Sequence, residues 1–345
     1  MAELVGPGSQ RPFGGSPDPP ALMRGLQLGL PEKAMPGREK PQVQMARRLD
    51  DVATVRGTPC AMWQWTPASG PPVALVVIFH GLGGHARFPS VRIAAELLTA
   101  SGFAVCGMDL PGHGASPGMH GYIDSAASLV DDGLAAFRAA SAAHPGLPVF
   151  LLGSSMGGAI AVQVAARAAE EARLPEPWGL VLMAPMLAPA VAPPLARLVS
   201  LLSWTPLARL ALIGSSATSN EKQYADPDLR REIDEDTLAY KGKLRVASVA
   251  AVLDLGTQTE AALPTVRAPF LCCVADDEQV LGPASRAAQE RLMEVAATPK
   301  DRRTFKSYAA LHGLLCELPE KRAQIAGDIV DWLLAAVKVG VKAEV

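Results

Sequence analysis

Net charge is almost absent from this sequence. Over 345 residues, 32 lysines and arginines face 34 aspartates and glutamates, for a formal charge of −2. That balance gives no bulk electrostatic reason to expect nucleic acid or an anionic membrane as the main partner. No basic run exceeds two residues, so no local patch replaces it. Cysteines are few: Cys60, Cys106, Cys272, Cys273 and Cys316 form neither an even framework nor a paired metal spacing. Cys272 and Cys273 sit in an apolar run, where a thiol acts as a small hydrophobe, which suits a reducing compartment. No uncharged stretch of the apolar interval 186–214 reaches the roughly 18 residues of a spanning helix. A basic n-region followed by a long apolar segment is also missing, so a secretory signal is not expected. Residues 1–44, punctuated by Gly and Pro, read as a disordered extension. Arg11 and Arg24 there are interspersed with Glu3, Asp18, Glu32 and Glu39, which transit peptides avoid; organelle targeting by this stretch stays open. The expected location is cytoplasmic.

Over the full sequence 49% of residues are hydrophobic and 19% charged, and from about residue 45 to 340 they run as a globular alternation. The pattern predicts strands at 73–79, 103–109, 147–153, 179–185, 269–275 and 302–308. Helices are predicted at 90–102, 128–143, 156–172, about 283–296 and 320–338. Strand and helix alternating at this pitch predict an α/β domain with a mostly parallel sheet and helices on both faces. Segments 46–54 and 58–67 are expected to form an antiparallel edge hairpin. The interval 186–265 breaks the rhythm. Its first part reads as short amphipathic helices over the sheet and its second as a polar helical segment through 234–255. Together they predict an inserted lid.

Gly153-Ser154-Ser155-Met156-Gly157 is a G-x-S-x-G pattern directly after a predicted strand and before a predicted helix. So sharp a turn needs small neighbours, and it lifts the serine hydroxyl out at the C-terminal edge of the sheet. A serine nucleophile needs a base, and His312 is the only histidine after Ser155. The imidazole's ordinary pKa near neutrality suits that task. The orienting acid belongs just beyond strand 269–275, where Asp276, Asp277 and Glu278 compete, and spacing alone does not choose among them. The oxyanion hole is expected to combine the N–H of Met156 with one from His80-Gly81-Leu82-Gly83-Gly84-His85, Leu82 being the candidate. His80 and His85 lack a third ligand at suitable spacing, so no metal is expected, and His80 is read as fixing its loop by hydrogen bonds. Asp109–Ser116 is read as structural wall of the site.

The sequence resembles the monoacylglycerol lipase-like α/β-hydrolases, also called lysophospholipase-like or serine aminopeptidase S33-type. FHGLGGH (79–85), MDLPGHGASPG (108–118), GSSMGGAIA (153–161), APM (184–186) and Y…HGLLCELPE (308–320) carry the resemblance. GMHGYIDSAASLVDDGLAAF (118–137) and DTLAYKGKLRVASVAAVL (236–253) are similar to the plant and algal branch. The resemblance implies an α/β-hydrolase fold with Ser155 as nucleophile, His312 as base, and Leu82 and Met156 as oxyanion donors. It places the acid on Glu278, where the family usually has Asp, with Asp277 in reserve. Ala275 stands in place of a usual Gly, and Ser154 in place of a usual His.

The implied reaction is acyl transfer from a carboxylic ester without a cofactor. A monoacylglycerol is the leading substrate, and the apolar lid could touch a lipid surface. The alternatives are a lysophospholipase, a hydroxycinnamoyl (caffeoylshikimate-type) esterase, for which Trp204, Tyr224 and Tyr240 would supply aromatic contacts, or a catalytically impaired ligand-binding relative.

Overall fold

The computed structural model describes residues 47–53, 56–171, 174–189, 191, 193–214 and 219–343. The expected extension, residues 1–44, lies outside them. Along the chain, β1 (Arg47–Ala53) and β2 (Pro59–Trp65) form the antiparallel hairpin. There follow β3 (Leu75–Phe79), α1 (Pro89–Ala100), β4 (Ala104–Met108), α2 (Ala126–Ala143), β5 (Val149–Ser154), α3 (Met156–Ala168) and β6 (Gly179–Met183). The insertion contributes α4 (Pro193–Ser203), β7 (Ala211–Ile213), α5 (Asn220–Gln223), α6 (Pro227–Glu235), β8 (Leu244–Arg245) and α7 (Val246–Ala262). The chain returns to the sheet with β9 (Phe270–Ala275), α8 (Pro283–Val295), β10 (Arg303–Tyr308) and α9 (Pro319–Ala343).

Eight strands pair in the order β1-β2-β4-β3-β5-β6-β9-β10, with antiparallel pairing only where β2 meets β1 and β4. Every residue of β3, β4, β6 and β9 is buried. This is why these strands read as unbroken apolar runs: both faces of a parallel sheet are covered. The two-residue period of a strand then divides them between two cores. Leu75, Val77 and Phe79 of β3 face one core with residues of α2, α3, α7 and α8, while Val76 and Ile78 face the other with α1, α6 and α9.

The position of α1 follows from handedness. The crossover from β3 to β4 runs toward the hairpin edge, whereas those from β4 to β5 and from β5 to β6 run the other way. Right-handed crossovers therefore place α1 opposite α2 and α3. The strand order reverses between β3 and β5, the kind of switch point at whose C-terminal strand ends α/β sheets bind their ligands.

The insertion divides in a way the sequence reading did not foresee. α4 and the turn after it turn outward, with Trp204 89% and Leu201 70% exposed. α6 and α7 turn inward: α6 buries Leu229 and Ile233 in one core, and α7 buries Ala251 and Leu255 in the other. The expected helix through 234–255 is interrupted, because residues 236–243 form no helix and α7 starts only at Val246. β7 and β8 close the outward part as a short antiparallel ladder.

Candidate active site

β5 runs into α3 with a single residue, Ser155, at the junction. Its φ of 56° and ψ of −121° lie in a region that non-glycine residues avoid. Such a conformation costs about 1–3 kcal/mol and persists only where the surroundings impose it. Here they do. Its N–H donates to the Met183 carbonyl at 3.0 Å, and its carbonyl accepts from Gly158 at 2.9 Å and Met186 at 3.0 Å. The glycines answer a steric demand: a Cβ at Gly153 would overlap the Gly157 carbonyl, and one at Gly157 would overlap the Phe79 carbonyl.

The loop after β3 backs directly onto this turn; a Cβ at Gly81 would sit 3.4 Å from that of Ser155. Met156 opens α3, where a helix leaves its first N–H without an intrahelical partner and concentrates partial positive charge. Leu82 packs its side chain against the core below. His80 staples this loop as expected. The Leu110 N–H donates to its Nε2 at 3.2 Å, so the proton sits on Nδ1, which donates to the Gly81 carbonyl at 2.8 Å. Burial lowers its pKa to about 4, against the opposing pull of the Gly81 hydrogen bond. Asp109, wholly buried, accepts from the N–H groups of Ala86 (2.7 Å) and Ala115 (2.9 Å) and from Trp63 Nε1 (3.2 Å). It ties the loops after β3 and β4 together.

Of the three competing carboxylates, Glu278 alone meets the imidazole. His312 Nδ1 and Glu278 Oε2 are 2.6 Å apart, with side-chain exposures of 5% and 13%. Glu278 Oε1 accepts the N–H groups of Val280 (2.7 Å) and Leu281 (3.0 Å). Burial pushes its pKa up, but the His312 bond and charge and the two amides outweigh it, and the carboxyl ends below its ordinary range. Asp277 is exposed, and its backbone N–H donates to the Ala310 carbonyl. Asp276 is exposed too, held by Ser307 Oγ and by Arg286 at 3.5 Å. With Nδ1–H donating to Glu278, the His312 Nε2 is left to accept a proton.

Ser155, the Gly81–Gly83 loop and the Glu278–His312 pair thus share the C-terminal edge of one sheet. Among the described residues, no cluster of three or more His, Cys, Asp or Glu could hold a metal ion. All five cysteines are buried and free, and burial pushes the thiols of Cys60, Cys106 and Cys316 up to about 11, 12 and 12. They pack as small apolar groups. Sequence reasoning reads Asp109 as structural wall without its partner Ala86, and it misses Asp236, which meets His85 from the insertion at 2.7 Å. Neither contact leaves a local signature, since the partners are 23 and 151 residues apart.

Residues 70–319 match the family described as serine aminopeptidase, S33. The chain is similar to the human monoglyceride lipase, 31% identical over 314 residues that cover 88% of this chain and 96% of the relative. It is 27% identical to the caffeoylshikimate esterase of Arabidopsis thaliana, over 79% of this chain and 81% of that one. Among solved structures, the monoacylglycerol lipase of Paleococcus ferrophilus superposes with a TM-score of 0.65 at 23% identity, covering 80% of this chain and 99% of that one. The fold is that of the α/β-hydrolases.

Proposed function

We propose that this chain, which belongs to the serine aminopeptidase S33 family of α/β-hydrolases and is a carboxylic ester hydrolase, takes monoacylglycerols as its substrates. Ser155 Oγ attacks the ester carbonyl while His312 Nε2 takes its proton, and Glu278 steadies the imidazolium. The N–H groups of Met156 and Leu82 hold the negative charge that develops on the carbonyl oxygen. Collapse expels glycerol, which leaves with the proton from His312. Water then attacks the acyl-enzyme by the same route, and the fatty acid departs.

The observation that carries the lipid class is the outward part of the insertion. Leu195, Leu198, Leu201, Trp204, Leu210 and Leu212 are all exposed within 18 residues, an apolar face suited to one acyl chain or to contact with a lipid surface. The likeness to the human monoglyceride lipase along nearly the full length of both chains supports the same class. Among the described residues no helix is long and apolar enough to cross a membrane, so such contact would be peripheral. Of the aromatic residues that would favour a hydroxycinnamoyl ester, Tyr224 is buried and Tyr240 packs on Gly121 and the His120 ring. Only Trp204 remains exposed.

The test is a hydrolysis panel of a monoacylglycerol, a lysophosphatidylcholine and a caffeoyl ester, with wild type beside Ser155→Ala. Preferential, Ser155-dependent release of fatty acid from the glycerol ester is expected, together with fluorophosphonate labelling of wild type only. Faster turnover of either other ester would replace the substrate proposed. No turnover and no labelling would leave a ligand-binding role.

A further inference from the structure

One stretch of the insertion is fastened to both halves of the site. At the base, the Gln223 carbonyl accepts the Gly313 N–H at 2.8 Å, next to His312. The Tyr224 ring lies so close beneath that a Cβ at Gly313 would overlap it. Tyr224 is buried, with the Phe88 ring 6.1 Å away. The chain is pinned again two residues on: the Asp226 N–H donates to the Cys316 carbonyl at 3.0 Å, and its carboxylate caps α6 and meets Arg322 at 2.9 Å.

Beyond α6 the same stretch reaches the loop after β3. The Arg87 N–H donates to His85 Nδ1 at 3.2 Å, so His85 Nε2–H donates to Asp236 at 2.7 Å. The Tyr240 N–H donates to the Gly83 carbonyl at 2.8 Å, and the φ of +75° at Gly83 brings the two backbones together. A Cβ there would stand 2.8 Å from the Tyr240 carbonyl. His120 Nε2–H donates to the Leu238 carbonyl at 3.1 Å and secures the far side.

The geometry points to Gln223–Tyr240 as a fixed strap, with Tyr224 positioning the His312 loop and Asp236 positioning the Leu82 loop. A mobile lid would break these contacts at each opening; the strap keeps them and leaves motion to the outward part of the insertion. This inference rests on the roles proposed for His312 and Leu82. Both residues act through others and need not touch substrate.

Wild type, Tyr224→Ala, Tyr224→Phe, Asp236→Ala and Asp236→Asn would be compared on p-nitrophenyl butyrate. A trifluoromethyl ketone, which forms a tetrahedral adduct with the nucleophile, and the melting temperature complete the set. Losing a whole oxyanion donor costs about 10²–10³-fold, so a displaced one should cost about tenfold. Asp236→Ala is expected to lower kcat about tenfold, leave KM within about twofold, and weaken the ketone in proportion. Tyr224→Ala is expected to lower kcat and the rate of fluorophosphonate labelling together by about tenfold, and Tyr224→Phe to restore most of the loss. Asp236→Asn, whose single oxygen stays with the Leu238 N–H while its NH2 group faces the His85 Nε2–H, is expected to match Asp236→Ala. If the alanine variants do not fold, Tyr224→Leu and Asp236→Ser carry the same expectations. Variants that melt lower yet keep kcat and ketone affinity within about twofold would overturn the strap. Wild type that neither labels nor turns over would instead overturn the roles beneath it.

Discussion

Glu278→Gln changes one atom of the site and tests how the site sets its proton. Glu278 Oε1 is claimed by the N–H groups of Val280 and Leu281, both of which can only donate. A glutamine has a single oxygen, so that oxygen stays with the amides and the NH2 group turns toward His312 Nδ1. Two donors cannot face one another. Nδ1 must become the acceptor, and the imidazole proton moves to Nε2, the atom that should receive the Ser155 proton. Side-chain volume and the backbone bonds survive, but the tautomer is wrong. A tautomer error of this kind costs about 10³–10⁴-fold in kcat, equivalent to about 4–5.5 kcal/mol. Stability and KM should change little. The assay is kcat and KM on a soluble p-nitrophenyl ester, with Asp277→Asn in parallel and melting temperatures for both. Asp277 is exposed, so its variant should stay within about twofold of wild type. A Glu278→Gln enzyme within tenfold of wild type, or a larger loss in Asp277→Asn, would refute the reasoning and move the acid to Asp277.

Gly157→Ala would drive a Cβ into the Phe79 carbonyl, and overpacking of backbone against backbone costs about 1–3 kcal/mol or more; a urea titration should show a large loss or no folded protein. Burial lowers the pKa of His80 to about 4 and of His113 to about 3, from 6.5. Between about pH 6.5 and 4 the unfolded chain therefore binds protons that the folded chain refuses. Stability is intact above that window and falls by up to about 1.4 kcal/mol per pH unit for each histidine as pH drops. Urea midpoints from pH 7.5 to 4.5 should fall less steeply in His113→Gln, and an unchanged slope would count against the buried neutral ring. Replacing Leu201 and Trp204 by serine removes two apolar anchors, each worth about 1 kcal/mol or more on partial insertion. Binding to neutral phosphatidylcholine vesicles should weaken about tenfold or more in a sedimentation assay, while turnover of the soluble ester persists.

The sheet, its flanking helices and the turn at Ser155 were legible because local physics writes them locally. Central strands are apolar throughout since both faces are covered, and the glycines around Ser155 stand where backbones must nearly touch. His312 was legible by elimination. Boundaries within the insertion were not: a hydrophobic period shows that a helix buries a face without saying against what. The sequence reads as amphipathic helices over the sheet in the first part and as a polar helical segment in the second, and it does not show that α4 turns outward and α7 inward. Ionisable neighbours were hidden for the same reason. Asp276, Asp277 and Glu278 are equivalent in charge and adjacent in sequence; what separates them is the pair of amides that the folded loop presents to Glu278 and the His312 ring that meets it. Asp236 lies 151 residues from His85, and nothing along the chain relates them. The sequence by itself thus determined the fold class and marked out the candidate nucleophile and base, which depend on short-range sterics and periodicity. Beyond what the family resemblance implied for Glu278, the pairing of that carboxylate with His312, the stapling of the loop after β3 and the division of the insertion into inward and outward parts were decided by tertiary structure, because each depends on where distant donors and acceptors meet.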